Sequence, residues 1–455
     1  MSPQEKRPNI LFFFSDQQRW DTCGCYGQKL DTTPTLDRLA KEGVLFQNAF
    51  TCQPVCGPAR ACLQTGLYAT QVGCNINSQA LPIFADTIAK RLDQAGYETG
   101  YVGKWHLATN YGLKWDQAPP GVQPVNFANQ PIPPERRGGY RDFWVASDIL
   151  EFSSHGYGGC MWDGDGNKRE WDEETYRADA QTDYALEFLN SRDGKKPWFL
   201  FCSYIEPHHQ NDRNTYEGPH GSKERFADYE VPGDLVDTEG DWRENYPDYL
   251  GCIRSLDDNL GRIVDALEKN GMRENTLIIF TSDHGSHFRT RNKEYKRSCH
   301  DGCTHIPMVL NGPGFDQGKR IEDMVSLIDL PRTILRAAET PQPIAIQGLD
   351  LQDVIAGKSD RDTVFIQISE DHVGRAIRTS RWKYSVRAPG LPGNGPNMSD
   401  VYVEDFLYDL EADPHERKNL VADPEYCDIR RNLQERLKAC MTQAGETAPE
   451  IRPAE

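Results

Sequence analysis

A cysteine and an arginine one helical turn apart are the first residues whose spacing points to chemistry. Cys56 and Arg60 belong to the segment Cys56-Gly57-Pro58-Ala59-Arg60. On a helix, residues i and i+4 share a face, so a nucleophile at 56 and the guanidinium can meet the same anion. Three other interpretations of this segment stay open: a buried helical cysteine, a thiolate phosphatase, and a zinc or iron–sulfur knot. The knot would use the cysteines Cys23, Cys25, Cys52, Cys56, Cys62 and Cys74, but their irregular spacing weakens it.

Two residue pairs, each an aspartate followed by a second polar residue, offer ligands for a metal ion. We refer to them as the acidic pairs. Asp16-Gln17 and Asp283-His284 each follow a short apolar run. An Asp-His pair before a glycine is also common in turns, so the second pair indicates a metal only in combination with the first. Oxygen donors favour calcium, or magnesium and manganese, over zinc. The sequence predicts one divalent metal, with calcium preferred, held by Asp16, Gln17, Asp283 and His284.

Basic side chains recur in similar positions. Lys104 and His106 follow one apolar run, His208 follows another, and Lys296 comes after the second acidic pair. A solitary lysine or histidine is usually solvated or satisfied by its neighbours. Together with Arg60, they provide cations for an anionic substrate and groups for proton transfer.

Short apolar runs and amphipathic helices must position these residues. The runs are Asn9–Phe14, Thr99–Val102, Trp198–Cys202 and Leu277–Phe280, and helical patterns separate them. One helix is opened by Thr33-Pro34, and another carries an apolar stripe that ends before Gly271. This order predicts an α/β fold with a large mixed, mainly parallel sheet sandwiched by helices. Ligands bind beyond the carboxyl ends of such strands, so the polar clusters should converge.

Two regions depart from this rhythm. Residues 107–175 are rich in proline, glycine and aromatics, and we interpret them as a substrate-facing insertion. After Pro341, short β-rich runs precede a helical pattern around 426–444. We therefore predict a catalytic domain over 1–340 and a smaller C-terminal α+β domain over 341–455. The aromatic residues of the insertion include Tyr111, Trp115, Phe127, Tyr140, Phe143, Trp144 and Trp162.

The segment around Cys56, continued by Thr65-Gly66, resembles the Cys-x-Pro-x-Arg modification motif of the sulfatase family. This family is the formylglycine-dependent branch of the alkaline phosphatase superfamily. Its Gly-Lys-x-His and Pro-His elements and its second lysine are matched in order by 103–106, 207–208 and Lys296. The resemblance reaches nearly all of the chain except 107–175 and 209–245. It implies that a maturation enzyme converts Cys56 into formylglycine.

The resemblance also implies a role for each polar residue. The hydrated aldehyde at 56, aligned by Arg60, would attack sulfur while Lys104 and Lys296 hold the sulfate oxygens. His208 would protonate the leaving alcohol, and His106 would take the proton that allows sulfate to be expelled. Gln17 departs from the family, which usually has a second acid there. This departure resembles the phosphonate monoester hydrolase branch and some carbohydrate sulfatases.

The aromatic insertion favours a carbohydrate sulfate, such as a 6-sulfated amino sugar. The alternatives are a phosphonate monoester or phosphodiester hydrolase, an aryl sulfatase, and a catalytically silent protein that binds sulfated glycans. We expect a small sulfated substrate. Candidate sugar contacts, chosen by position and chemistry, are Tyr157, Trp162, Asp163, His372 and Arg378.

Composition narrows the partners and the compartment. The 455-residue chain carries a formal charge of −18, which disfavours nucleic acid and long sulfated polymers as partners. The apolar run near the start is too short for a membrane span or a signal peptide. The 13 cysteines are odd in number and scattered, which is typical of reduced thiols. We therefore expect a cytoplasmic protein without membrane contact.

Overall fold

The computed structural model describes residues 7–110, 125–343 and 345–454, and these form two β-sheets. The large sheet has ten strands in the order β10-β2-β9-β8-β1-β7-β3-β4-β5-β6. Its central strands are parallel, whereas β9, β5 and β6 run antiparallel to their neighbours. The strands are β1 (Asn9–Ser15), β2 (Val44–Phe50), β3 (Glu98–Lys104), β4 (Phe143–Ser147), β5 (Tyr157–Asp163), β6 (Lys168–Tyr176), β7 (Trp198–Ser203), β8 (Thr276–Ser282), β9 (Met308–Asn311) and β10 (Lys319–Ser326).

Helices cover both faces of the large sheet, which explains why its central strands are apolar throughout. On β1, Ile10 and Phe12 face one core while Leu11 and Phe13 face the other, because side chains alternate along a strand. Helices α2, α4, α9 and α10 pack on the first face, and α1, α5 and α7 pack on the second. The helices are α1 (Pro34–Glu42), α2 (Cys56–Thr65), α3 (Ala69–Val72), α4 (Ile88–Gln94), α5 (Arg177–Asn190), α6 (Ser222–Arg225), α7 (Trp242–Lys269), α8 (Asp301–Thr304), α9 (Leu330–Ala337), α10 (Leu351–Ile355) and α11 (Cys427–Gln443).

The second sheet is smaller and belongs to the C-terminal part of the chain. Its five strands lie in chain order, and α11 packs against them through Leu433, Leu437 and Met441. The predicted fold class, a large mixed sheet between helices with a smaller C-terminal α+β unit, is confirmed. The boundary at 341 stays a prediction. The strands are β11 (Thr363–Ile368), β12 (His372–Thr379), β13 (Trp382–Pro392), β14 (Val401–Asp409) and β15 (Glu450–Arg452).

The region 125–175 extends the large sheet instead of standing apart from it. Strands β4, β5 and β6 form its edge. Tyr140 and Trp144 are buried, and their rings lie 4.9 and 5.2 Å from the ring of Tyr101. The expectation that these aromatic faces meet a sugar is therefore wrong for these two residues, because they fill the core. Tyr111 and Trp115 lie outside the described residues.

Two further sequence expectations meet the structure. All 13 cysteines, which lie within the described residues, are free thiols, as their scattered positions indicated. Within 7–110, 125–343 and 345–454, the structure contains no helix with the length and apolar character to cross a bilayer.

Candidate active site

The two acidic pairs meet because their strands are neighbours. β1 and β8 are parallel and in register from Asn9 opposite Thr276 to Ser15 opposite Ser282. Asp16 and Asp283, each the next residue after its strand, are therefore adjacent at the carboxyl edge of the sheet. The backbone amide of Gln17 donates a hydrogen bond to Asp283 Oδ1 at 3.0 Å, which joins the two pairs directly.

Cys56 is the first residue of α2 and lies against both acidic pairs. The helix is buried along its whole length. Cys56 Sγ is 3.4 Å from Asp16 Oδ1 and 3.3 Å from His284 Nε2. One ligand atom each of Asp16, Cys56, Asp283 and His284 lies within 4.8 Å of the others, a spacing at which one ion can contact all of them.

Gln17 completes a donor set that fits a divalent cation. Its Nε2 donates to the Tyr216 hydroxyl at 2.6 Å. Its Oε1 is buried and has no hydrogen-bond partner among the described residues. A buried amide oxygen without a partner is costly unless a ligand satisfies it. With two carboxylates and one imidazole beside it, the set suits a hard cation such as calcium or magnesium.

Three cationic side chains surround the same atoms. Arg60 Nη2 is 3.0 Å from Asp16 Oδ2 and 3.3 Å from Asp283 Oδ2. Lys104 Nζ is 2.9 Å from Asp16 Oδ2, and Lys296 Nζ is 2.7 Å from Cys56 Sγ. All three are buried. Three buried cations around residue 56 are suited to holding a small anion.

The two predicted proton-transfer histidines flank this basic pocket. His208 Nε2 is 3.3 Å from Lys296 Nζ and 4.0 Å from Asp16 Oδ1. His106 follows Lys104 by two residues and has a left-handed backbone with φ 57°. Burial lowers the pKa of both imidazoles well below 6.5, and the Lys104 ammonium lowers it further. Both rings are therefore neutral at pH 7 before an anion enters.

The pKa values of the two aspartates are shifted in opposite directions, and the pKa of the Cys56 thiol is raised. Burial and the neighbouring Asp16 raise the pKa of Asp283 to about 7. Burial acts on Asp16 as well, but Lys104, with His208 and Arg60, holds the pKa of that carboxyl well below 3.8. Burial and the Asp16 carboxylate raise the pKa of the Cys56 thiol to about 12. An unmodified thiol here is protonated and a poor nucleophile, which weakens the thiolate phosphatase alternative.

Several polar residues of the site were not found from the sequence. Glu151 Oε2 lies 3.3 Å from Lys104 Nζ, and the Ser203 hydroxyl accepts a hydrogen bond from Arg60 at 2.6 Å. The Tyr295 hydroxyl is 3.5 Å from His208 Nε2. Ser203 ends β7, so strand-end position was a usable signal for it, whereas the signal for Tyr295 was its place directly before Lys296. Glu151 belongs to no motif and follows no predicted strand.

The five sugar-contact candidates lie apart from this cluster, and no hydrogen bond between described residues joins them to it. Tyr157 stacks on His220 with ring centroids 4.3 Å apart and lines a cavity of 1180 Å³. Trp162 is buried in β5, and Asp163 accepts hydrogen bonds from the Asp165 and Asn167 amides. His372 Nδ1 is at hydrogen-bond distance from Asp371, 2.7 Å, and Arg378 forms an ion pair with Asp301 at 3.4 Å. Tyr157 is thus the candidate with an open cavity beside it.

Comparisons with known proteins show the family to which this chain is similar along its length. A family model described as sulfatase matches residues 8–340, and one described as N-sulphoglucosamine sulphohydrolase, C-terminal, matches 293–443. The uncharacterized sulfatase YidJ of Escherichia coli (strain K12) is 30% identical over 95% of this chain and 86% of its own. An N-acetylglucosamine-6-O-sulfatase of Bacteroides thetaiotaomicron is 25% identical over 98% of this chain and 88% of its own. The crystal structure of a YidJ sulfatase from Bacteroides fragilis superposes with a TM-score of 0.80 at 27% identity, covering 98% of both chains.

Proposed function

Because the chain belongs to the sulfatase family of the alkaline phosphatase superfamily and is a sulfuric ester hydrolase, we propose that it cleaves a carbohydrate sulfate, such as a 6-sulfated amino sugar. The observation that carries the sulfate chemistry is the placement of Cys56 between the acidic pairs and Lys296. The name of the Bacteroides thetaiotaomicron relative supports the sugar.

The cations define where the sulfate group binds. Lys296 Nζ touches residue 56, and Lys104 Nζ lies on the other side of Asp16. We assign the sulfate oxygens to these two ammonium groups, which neutralise the charge of the ester and of the transition state. Arg60 orients residue 56, because its guanidinium is fixed by Asp16, Asp283 and Ser203.

Asp16, Gln17, Asp283 and His284 would hold one divalent cation, which we propose to be calcium because most of the donors are oxygens. When bound, the cation supplies Lewis-acid polarisation of the oxygen at residue 56 and offsets the charge of the two carboxylates. The unpartnered Gln17 Oε1 supports this assignment independently of the family.

Residue 56 is proposed to act as formylglycine, made from the cysteine by a maturation enzyme. The hydrated aldehyde supplies one hydroxyl as nucleophile and a second whose deprotonation releases sulfate, a step that a thiol cannot perform. Burial and the Lys104 ammonium keep the pKa of His208 low in the free site. The entering anion opposes the lysine and favours the protonated imidazole, which then donates its proton to the leaving oxygen. His106 accepts the proton of the second hydroxyl, and its low pKa keeps it neutral for this task.

Two measurements test the proposal. Peptide mass spectrometry of active protein should find the aldehyde or its hydrate at residue 56, and Cys56→Ser, a matched control, should be inactive. Wild-type turnover should be compared on N-acetylglucosamine 6-sulfate, 4-nitrophenyl sulfate and a phenylphosphonate monoester. A higher kcat/KM for the phosphonate would favour the second candidate, a phosphonate monoester hydrolase, which the neutral donor Gln17 suggests. Full activity with unmodified cysteine would contradict the mechanism.

A further inference from the structure

Glu151 places a carboxylate in the sulfate-binding site where the chemistry assigns it no task. It belongs to a 3-10 turn, Leu150–Phe152, between β4 and β5, and it is 4% exposed. Its Oε2 lies 3.3 Å from Lys104 Nζ, on a lysine that already pairs with Asp16. A second carboxylate on this lysine balances the charge of the cluster but weakens the attraction of Lys104 for sulfate.

The Glu151 carboxylate also lacks the hydrogen bonds that the other acids of the site have. Asp283 accepts hydrogen bonds from two backbone amides, and Asp16 accepts one from Arg60. Glu151 accepts none through its carboxylate among the described residues, and the contact of Oε2 with Lys104 Nζ at 3.3 Å is an ion pair without hydrogen-bond geometry. A buried acceptor left unsatisfied is costly, so this oxygen is arranged for a donor that arrives with the substrate.

That donor is not the sulfate group. An ionised carboxylate only accepts hydrogen bonds, and sulfate oxygens offer none and carry like charge. Nor is Glu151 part of the metal set, whose ligand atoms are those of Asp16, Asp283 and His284 around residue 56. The carboxylate must therefore face the part of the substrate beyond the ester oxygen.

The turn that carries Glu151 leads from the buried lysine to the surface. Phe152, the next residue, is 49% exposed and lines the 1180 Å³ cavity that also includes Tyr157. Gln210 Nε2 donates to the Glu151 carbonyl at 2.8 Å and fixes the turn on this path. Because Glu151 contacts Lys104 and directly precedes the exposed Phe152, we take this side of the lysine to face the alcohol of a bound ester.

We propose that Glu151 is a specificity-determining residue, whose carboxylate accepts a hydrogen bond from a hydroxyl or amide N–H in the non-sulfated part of the substrate. The inference rests on the proposed function and deepens it, because it selects hydroxylated or amidated alcohols over donor-free ones. It does not require contact with the sulfate or with the metal.

The test compares substrates that differ in donors but not in the kind of ester. N-acetylglucosamine 6-sulfate and cyclohexylmethyl sulfate are both primary alkyl esters on a six-membered ring, and only the first has hydroxyl and amide donors. 4-Nitrophenyl sulfate reports the active fraction. Glu151→Ala should lower kcat/KM for the sugar sulfate by about 10- to 100-fold, the value of a hydrogen bond to a charged acceptor. The other two substrates should lose no kcat/KM, because removing this carboxylate does not weaken the attraction of Lys104 for sulfate, and Glu151→Gln should be intermediate on the sugar.

Glu170→Gln is the matched control, because Glu170 lines the same cavity but is exposed and paired with Lys168 at 2.6 Å. It should leave all three rates unchanged. Equal losses on all substrates would show that Glu151 acts only through Lys104 or through folding, and would overturn the inference. Equal losses on both alkyl esters alone would assign it to leaving-group protonation, which also overturns it. A wild-type enzyme inactive on sugar sulfates would instead overturn the proposed function, and this inference with it.

Discussion

The sulfate-binding end of the site and the region 125–175 beside it are built in different ways. At the sulfate end, Asp16, Lys104 and Asp283 are fixed by strands whose register leaves them no alternative position. In region 125–175, the conspicuous aromatics Tyr140 and Trp144 fill the core, while the inconspicuous Glu151 reaches the site. The proposed reacting residues are thus positioned by the ends of the central strands. The residue that we propose to select the substrate is positioned by the packing of the β4–β6 edge of the large sheet.

The largest loss of turnover should come from substituting one of the four proposed metal ligands. Asp283→Ala removes a buried carboxylate that contacts both the Gln17 amide and Arg60. We expect loss of the bound cation and a fall in turnover of about 10³-fold or more, since Lewis-acid assistance contributes several kcal/mol. Elemental analysis and 4-nitrophenyl sulfate turnover measure the two effects.

Asp163→Ala is the control from the other region. Among the residues that the structure describes, Asp163 accepts hydrogen bonds only within its own turn, so cation content and aryl sulfate turnover should stay at wild-type levels. If both variants lost the cation, or if zinc were found on the cysteines of the wild type, the contrast between the regions would not hold.

The next largest effects should separate His106 from His208. Removing His208 deprives the leaving oxygen of its acid, so esters of sugars should suffer far more than activated aryl sulfates. Removing His106 blocks sulfate release, so a sulfuryl group should stay on the protein after one turnover. Each alanine variant should cost about 10²–10⁴-fold. Intact-mass spectrometry and substrate profiles distinguish them, and equal slowing of all substrates with no retained group would refute the division of roles.

The sequence predicted that these polar residues converge around Cys56 because local features decide their positions. A strand ends where its apolar run ends, and the residue after it must lie at the edge of the sheet, as Asp16 and Asp283 do. The helical spacing of Cys56 and Arg60 is equally local. Nothing local separates a core tryptophan such as Trp144 from a sugar-stacking one, since that depends on the register of β4 beside β3.

Glu151 shows a second reason why sequence analysis misses residues of the site. Its partner Lys104 ends β3, whereas Glu151 lies in the turn after β4, and no short sequence motif contains both residues. Its environment exists only once the turn after β4 is packed against Gln210. A sequence pattern therefore finds the candidate reacting groups, and only tertiary packing shows that Glu151 lies beside Lys104.

A smaller effect on activity is expected from Asp148, which holds His106 in place. Its carboxylate accepts hydrogen bonds from the amides of Leu107, Ala108 and Thr109 at 2.9, 2.9 and 2.7 Å. Asp148→Asn turns a donor toward part of this set and should shift His106, which costs about 10- to 100-fold in kcat. The retained sulfuryl group seen with His106→Ala should reappear at lower occupancy. A loss of kcat without that signature would make Asp148 merely structural.

Substitution of Arg378 is expected to leave catalysis unchanged and to lower only the stability of the fold. Its guanidinium lies 3.4 Å from Asp301 and 5.1 Å from the Phe50 ring centroid, within an ion-pair cluster that includes Lys383. Burial raises the pKa of Asp301, but Lys383 and Arg378 outweigh it and hold that pKa well below 3.8. A carboxyl with a depressed folded-state pKa contributes stability above its unfolded pKa and loses it as the pH falls through the folded value. Arg378→Met should therefore destabilise the fold by about 1–3 kcal/mol at pH 7, and the difference should shrink below about pH 4.

Arg381→Met provides the matched comparison, because Arg381 is nearly half exposed and pairs with Asp409 at 2.7 Å near the surface. It should cost about 0–1 kcal/mol. Denaturant unfolding at pH 7 and pH 3.5 measures the stabilities, and KM for the sugar sulfate is measured on the same samples. We expect both variants to keep the wild-type KM. If Arg378→Met instead raised KM at unchanged stability, the arginine would contact the sugar, as the sequence suggested, and substrate choice would extend from the edge of the large sheet to the second one.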